Sequence, residues 1–375
     1  MSWSGRVLIS GAGITGLTLA ASLGRRGVGV EVVEIKPTIQ DQGGIGLSIM
    51  GNASKALATI GVAEQCVAAG MPADSLTVRT PRGDIVATPP WPDLGKPSWP
   101  SQIGISRSVF HDILLSAARA AGASIRCGVS IESIQEGESA CVRFSDGSSG
   151  EFDLIVGADG LYSHVRKLVF PEAPAPKLTG QAIWRAYAPR PRDITTTQMH
   201  FGGTQGLVGI CPISQEGCYV YCLHNTTAGE RVEPEQGPEL LREKLRDYGG
   251  LIPPLAAAIR DPRLVSYRPL EWLLVPKPWH RGRVVLMGDA AHANPPNLAQ
   301  GAAMGIEDAV VLTEELSRCD DLQEALQRFM NRRFDRAKLV VEVSCEVAQA
   351  EAEHRVGFDA AARIREASAV LVQPY

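Results

Sequence analysis

"RVLISGAGITGLTLAASLGRRGVGVEVVE", residues 6–34, is the stretch whose reading decides the fold. Val7 to Ile9 are consecutive and apolar, as a buried strand requires. Leu17 to Leu23 follow as a helix that Gly27 stops, and Val30 to Val33 form a second strand. The result is a βαβ unit with glycines at 11, 13 and 16 between its first strand and its helix. Gly11 permits a tight turn, Gly13 lets the backbone approach a pyrophosphate, and Gly16 lets the helix pack close on the strand. The helix start adds free N–H groups and positive dipole character. Glu34 closes the second strand, where a carboxylate can accept both hydroxyls of an adenosine ribose and would repel a 2′-phosphate. These residues predict a site for the adenosine half of FAD or NAD. The competing readings are a purely structural turn for the glycines and a solvated strand end for Glu34.

With 375 residues the chain can bury a large core, and length favours two domains. The formal charge of −4 is small and no block of lysines or arginines occurs, so neither nucleic acid nor an anionic membrane surface is an expected partner. No run approaches the roughly 18 apolar residues of a membrane span. The eight cysteines form no C-x-x-C and no His-Cys cluster, and no secretory leader precedes the first strand. The expectation is a reduced, cytoplasmic setting and no metal.

Further along, helices are expected over 52–60 and 108–121, the latter with Val109, Ile113, Leu114 and Ala117 on its apolar side. "PPWPDLGKPSWP", residues 89–100, reads as a surface loop. "IRCGVSIESIQ" and "CVRFSDGSSGEFDLIVGADG" read as antiparallel strands with a turn at Asp146-Gly147. From Gln181 to Leu223 short strands recur between Gly, Pro and Ser turns. A helix is expected over 238–248, and after Leu286 two long ones over 302–317 and 322–353. The fold class is therefore α/β: a Rossmann-type unit assembled from 1–74, 101–177 and 268–320, interleaved with an antiparallel sheet from 75–100 and 178–267. Helices from 321–375 follow.

Two more strand ends distinguish flavin from nicotinamide. "LIVGADGLYSHVRK", residues 154–167, and "LMGDAAHANPPNLAQGAAMGIEDA", residues 286–309, each run from a buried strand into a Gly/Asp turn beside a helix start. A simple dehydrogenase needs neither. Taken in order, Gly11-x-Gly13-x-x-Gly16 with Glu34, Asp159-Gly160 and Gly288-Asp289 resemble the group A FAD-dependent aromatic hydroxylases, the flavoprotein monooxygenases similar to para-hydroxybenzoate hydroxylase. The resemblance covers nearly the whole chain and implies a glutathione-reductase-like FAD domain. It implies that Asp289 bonds a ribityl hydroxyl, that Pro295 and Pro296 wall the isoalloxazine, and that the helix from Gly301 and Ala302 aims its N-terminus at the flavin N1/C2 edge, where the reduced ring is negative. It implies that Arg107 reaches the pyrophosphate or ribityl region. Asp159 and Arg166 share a motif that touches the flavin side indirectly and bears on the nicotinamide donor, with a loop-orienting role as the alternative. The sequence departs from the family at Ala299, where glycine is usual, and at Gly51-Asn52, where Pro-Asn is usual.

The resemblance also implies the chemistry: NADH or NADPH reduces FAD as a transient donor, O₂ is bound as a flavin C4a-hydroperoxide, and one oxygen passes to a small hydroxylated aromatic or N-heteroaromatic substrate. The protein must then supply a dry pocket, orientation and a base. Gly44, Leu47 and Ser48 are expected at the flavin edge. Candidates on the sheet are Trp184, Arg185, Tyr187, Cys211, Tyr219 and Tyr221, and an imidazole base is expected at His200 or His224. Period two puts Tyr219 and Tyr221 on one face and Cys218, Val220, Cys222 and His224 on the other. His292 is expected to act from behind Asp289. The oligomeric expectation is monomer or homodimer. Rival readings are epoxidation or ketone oxidation of a non-phenolic substrate, and a flavin-binding protein without catalysis.

Overall fold

The structure, a computed structural model, describes residues 3–39, 44–227 and 230–375. Its framework is a six-stranded sheet in the order His280–Arg281, Val284–Leu286, Leu154–Gly157, Val7–Ser10, Val30–Glu34, Ser124–Cys127. All neighbours are parallel except the antiparallel edge pair of His280–Arg281 with Val284–Leu286. Val7, Leu8 and Ile9 have no exposed surface, as expected of a strand covered on both faces. Each such side chain contributes about 1.5–3 kcal/mol.

Register explains how three distant motifs meet. Ser10 lies opposite Gly157, and Gly157 lies opposite Leu286. The glycine loop, the Asp159 turn and the Asp289 turn therefore leave the sheet side by side at its carboxyl edge, where ligands bind in open α/β sheets. Helix Ile14–Gly24 packs on helices Arg107–Ala120 and Gly301–Arg318. The residues 124–127, expected in an antiparallel pair, instead run parallel to Val30–Glu34, while Asp146-Gly147 does turn an antiparallel hairpin, with Gly147 at φ +82°. In helix Arg107–Ala120 the buried side is Phe110, His111, Leu114, Leu115 and Ala118, and Val109 is exposed.

The second large sheet has seven strands, in the order Val265–Trp272, Lys177–Pro189, Gly217–Asn225, Gly206–Pro212, Thr197–Gly203, Leu76–Arg79, Ile85–Ala87. Strand Val265–Trp272 crosses position 268, so the chain stays in this sheet up to Trp272 before returning to the parallel one. One face is covered by helices Gly237–Leu245 and Ile252–Ala258 and buries Trp184, Ala186, Val208, Ile210, Cys218, Val220 and Cys222. The other face carries Cys211, Ile213, Tyr219, Tyr187 and Tyr221 toward Ile45. There it meets a small antiparallel sheet of Gly46–Met50, Gln102–Ser106 and Met71–Ala73. Contact is close: a Cβ on Gly46 would lie 2.5 Å from the Tyr219 ring, and one on Gly104 would lie 2.0 Å from the Pro212 carbonyl.

Candidate active site

The three glycines of the opening loop occupy three different environments. Gly11 has φ +104°, and a Cβ there would meet the Ala158 carbonyl at 2.4 Å. At Gly16 it would meet the Gly11 carbonyl at 2.0 Å, whereas at Gly13 it would meet nothing within 4 Å. Turn and close packing thus account for the first and last, and the middle one leaves open space at a helix start that no side chain caps. Glu34 is buried and ties this loop down, accepting the Ala12 N–H on Oε2 and the Lys36 N–H on Oε1, each at 3.0 Å. A carboxylate oxygen has a further lone pair, so hydroxyls can still be accepted. His111 braces the loop from the other side, 2.8 Å from the Ala12 carbonyl.

The Asp159 carboxylate is directed inward. It accepts the N–H groups of His164 and Val165 at 2.7 and 3.1 Å and the Ser163 hydroxyl, so it caps helix His164–Val169. Arg166 donates to the carbonyls of Leu161 at 2.6 Å and Ala290 at 2.8 Å, locking this turn to the next. Both residues therefore hold the loop.

Asp289 differs. It follows Gly288, at φ +57°, and although protein surrounds it closely its side chain is open to the cleft, not buried as an acid at the end of an apolar strand would be. Crowding raises its pKa, with His292 and Arg107 opposing. The Arg107 guanidinium makes no hydrogen bond among the described residues, although its backbone N–H donates to the Ile45 carbonyl at 3.2 Å. The side chain lies against Gly44, where a Cβ would be 2.6 Å from its Cδ, and burial lowers its pKa while Asp289 counters. Pro295 and Pro296 lead through a 3₁₀ turn to Ala299, which adopts left-handed φ +53°, and then to Gln300 and helix Gly301–Arg318, whose start lacks a side-chain cap. Gly301 and Ala302 are partly exposed at that start. Gly51 packs so tightly on Gly95, with a Cβ only 2.1 Å from its nitrogen, that proline could not stand there.

These residues fit FAD: open backbone at Gly13, a carboxylate open at Asp289, an unpartnered guanidinium at Arg107 and a bare helix start at Gly301.

Across the cleft, strand register decides which sheet residues face it. Arg185 lies opposite Tyr221, Tyr187 opposite Tyr219, and Tyr219 opposite Cys211, so these five share the face turned toward the small sheet. Leu47 and Ser48 are partly exposed there, and Ser48 contacts Cys211 at 3.8 Å. Tyr221 lies over Gly209, where a Cβ would be 2.1 Å from its ring. The Arg185 guanidinium has no hydrogen bond or ion pair among the described residues; burial lowers its pKa, Tyr219 and Tyr221 oppose, and Arg107 and Arg268 add to the lowering. Burial pushes Tyr221 beyond the ordinary phenol range and Tyr219 well above it.

Three expectations are corrected here. His200 pairs in register with Val208, His224 with Ala182, and Trp184 belongs to the same helix-covered core. All three lie on the face away from the cleft. His200 is fully buried with neither ring nitrogen bonded, and burial first, then Arg79, lowers its pKa to about 4. His224 points to its neighbour's carbonyl, Asn225, at 2.7 Å. Neither imidazole reaches a ligand in the cleft.

Residues 5–344 match the family model described as FAD binding domain. The chain belongs to this family, that of the group A flavoprotein monooxygenases. It is 35% identical over 310 residues to the 2-heptyl-3-hydroxy-4(1H)-quinolone synthase of Pseudomonas aeruginosa (strain UCBPP-PA14), covering 82% of this chain and 79% of that one. It is 31% identical over 353 residues to the aurachin C monooxygenase/isomerase of Stigmatella aurantiaca, covering 92% and 88%. The solved structure of Klebsiella pneumoniae HpxO complexed with FAD and uric acid shares the fold, with a TM-score of 0.84 at 23% identity over 98% of this chain and 96% of that one.

In this monooxygenase the Asp289 turn rests on a buried ionic cluster that the motifs do not reveal. Asp308 accepts the Gly288 N–H at 2.9 Å, His292 Nε2 lies 2.6 Å from it, and Arg333 Nε donates to it at 2.7 Å. Arg333 and Arg336 also donate to Glu307, at 2.6 and 2.8 Å, and Asn52 links Glu307 at 2.6 Å to Gln300 at 3.0 Å. His292, bound to Asp308, also packs at a tilt on the Trp279 ring, with centroids 4.9 Å apart. The signal available in sequence was Arg333 and Arg336, three apart on an otherwise apolar helix side. A separate cavity of about 470 Å³, lined by Lys177, Trp272, Val341, Cys345 and Gln349 among others, shares no residue with this cleft. Among the described residues no helix is long and apolar enough to cross a membrane, and no His/Cys/Asp/Glu group could hold a metal ion.

Proposed function

We propose that this monooxygenase uses NADH or NADPH and O₂ to hydroxylate a small hydroxylated aromatic compound, an N-heteroaromatic one above all. FAD, held by the cleft residues, would supply the redox chemistry that uses two electrons from NAD(P)H and a proton to split O₂ between the substrate ring and water. The carrying observation is Arg185, an unpartnered guanidinium among Tyr219 and Tyr221 on the wall facing Asp289 and Arg107. A guanidinium closely surrounded by protein and left without a partner calls for an anionic one, and an enolate, phenolate or carboxylate oxygen of the substrate supplies it. The relatives named for a quinolone and the fold neighbour bound to uric acid support a nitrogen ring.

Gly11, Gly13, Glu34 and Arg107 would hold the dinucleotide end, Asp289 the ribityl chain, and the Gly301 helix start the developing negative charge of the ring. Tyr187, Cys211, Tyr219 and Leu47 would exclude water from the substrate, and Arg185 would fix its orientation.

The test is consumption of NADH and NADPH by the FAD-loaded protein across a panel of phenols, pyridinols and quinolones, with mass spectrometry of the products. Ligand-stimulated consumption with one added oxygen on a heteroaromatic is expected. Stimulation by no member of the panel, or consumption that yields only peroxide, overturns the reading.

A further inference from the structure

The end of the sheet face beyond Tyr221 closes on a carboxylate. Glu351 stands in the last turn of helix Leu322–Ala352 and is partly buried. Its Oε2 accepts the Asn297 Nδ2–H at 3.0 Å, and the Gln181 amide lies near enough to help hold its pKa down. Asn297 belongs to the turn that Pro295 and Pro296 begin. Gln181 shares the cleft-facing side of its strand with Ile183 and Arg185, by period two. Tyr221, opposite Arg185, is near enough for the Glu351 charge to raise its pKa. The proline wall, the sheet face and the long helix therefore meet at this one group.

Asn297 has turned its N–H₂ group to the carboxylate, and beside it Gln181 Oε1 and Asn297 Oδ1 are buried with no partner. A carboxylate beside two orphan acceptors has no donor left to receive, and a ligand bearing O–H or N–H supplies it. We propose that Glu351 is the catalytic base, accepting the proton from the hydroxyl or ring N–H of the bound substrate. The O–H or N–H bond breaks, its electron pair stays on the substrate and makes the ring electron-rich, and the proton goes to a carboxylate oxygen, then to water after turnover. This rests on the hydroxylation reading above.

The surroundings suit the role. Among the described residues the titratable side chain facing Glu351 from the sheet is Tyr221, with Arg185 beyond it, and the facing groups of the other elements are the neutral Asn297 and Gln181. Just past the end of its helix Glu353 pairs with Arg355 at 2.8 Å, and on the helix Glu346 pairs with Arg363 of helix Ala360–Leu371 at 2.9 Å, so both are turned elsewhere. Burial raises Glu351 to about 7, the two amides restraining it. A base with that value is ionised above neutrality and still able to take a proton.

The experiment compares FAD-loaded wild type, E351Q and E351D by the pH profile of kcat/KM. A second readout is the absorbance of substrate bound to the oxidised protein without NAD(P)H. Wild-type kcat/KM should fall about tenfold per pH unit below about 7. E351Q should lose about 100-fold or more and lack the inflection, while E351D keeps one. Bound substrate should be the anion in wild type above neutrality and neutral in E351Q. An unchanged limb in E351Q, or an anion bound equally by both, overturns the assignment. The absorbance arm reads ionisation without turnover, so a wild type that binds the anion yet adds no oxygen sinks the hydroxylation reading and leaves the base standing. Should E351Q not retain FAD, the wild-type titration decides: a midpoint equal to that of free substrate overturns the proposal.

Discussion

Arg333, buried beneath the Gly301 helix, and Arg185, partly exposed on the cleft-facing side of the seven-stranded sheet, are both guanidiniums packed among other side chains, yet their surroundings differ in kind. Arg333 is fully buried and spends its donors on Asp308, Glu307 and the Met304 carbonyl. The Arg185 guanidinium has no partner among the described residues, and its charged neighbours Arg107 and Arg268 repel it. The first belongs to a wall whose polar groups are satisfied by the protein itself, as are those of Glu34, Asp159 and Arg166. The second belongs to a wall with bonds still to make. A wall of the first kind holds its shape before any ligand arrives, and one of the second kind gains stability when a ligand does.

Substituting each arginine tests that contrast. Arg333→Leu leaves fully buried Glu307 with Arg336 as its one cationic partner and fully buried Asp308 with His292 and the Gly288 N–H, which costs about 3–5 kcal/mol. The denaturation midpoint should drop further than for Arg185→Leu or Ala299→Gly, and FAD affinity should fall with it because Gly288 and Gln300 lose their support. A loss under about 1 kcal/mol would mean that the cluster is solvated and the contrast false. Arg185→Leu should act in the opposite sense. Removing an unpaired charge leaves stability unchanged or higher, while the lost charge-assisted bond weakens substrate binding by about 1.5–3 kcal/mol, or roughly 10- to 150-fold. A melting curve and a ligand titration on the same sample read both effects. Destabilisation without loss of ligand affinity would make Arg185 part of the packed scaffold instead.

The satisfied wall was also the legible one. Gly11, Gly16 and Gly288 are required by backbone conformation and close approach, which are local and show as glycine between an apolar strand and a helix. The sheet face is written in a weaker code. Alternation sorted Tyr219 and Tyr221 from His224 correctly, but it cannot say which side helices Gly237–Leu245 and Ile252–Ala258 cover. His200 and His224 were expected at the cleft for that reason, and the helices bury both. The second of those helices carries Pro253 and Pro254 in its first turn, where proline is tolerated and where the sequence resembles a loop. Glu351 was invisible for another reason: its partners Asn297 and Gln181 lie on two other elements, and nothing next to it in the chain marks it.

Ala299 gives the smallest effect and the finest test of the rigid wall. It is one of two non-glycine residues with positive φ among the described residues, at the turn between the proline wall and the Gly301 helix. Left-handed backbone costs an alanine about 1 kcal/mol relative to glycine, while glycine gives back about 0.4–1 kcal/mol through the greater freedom of the unfolded chain. Ala299→Gly should therefore move the melting temperature little, in the stabilising direction if at all. What it tests is what holds Gln300 and the start of the helix in place. Gln300 remains fixed by Asn52, which Glu307 fixes in turn, so the FAD affinity of A299G should stay within about twofold of wild type, a difference under about 0.5 kcal/mol. If affinity falls much further while the melting temperature stays put, the shape of this turn is set by the alanine backbone. The ionic cluster beneath it would then not be the source of the wall's rigidity.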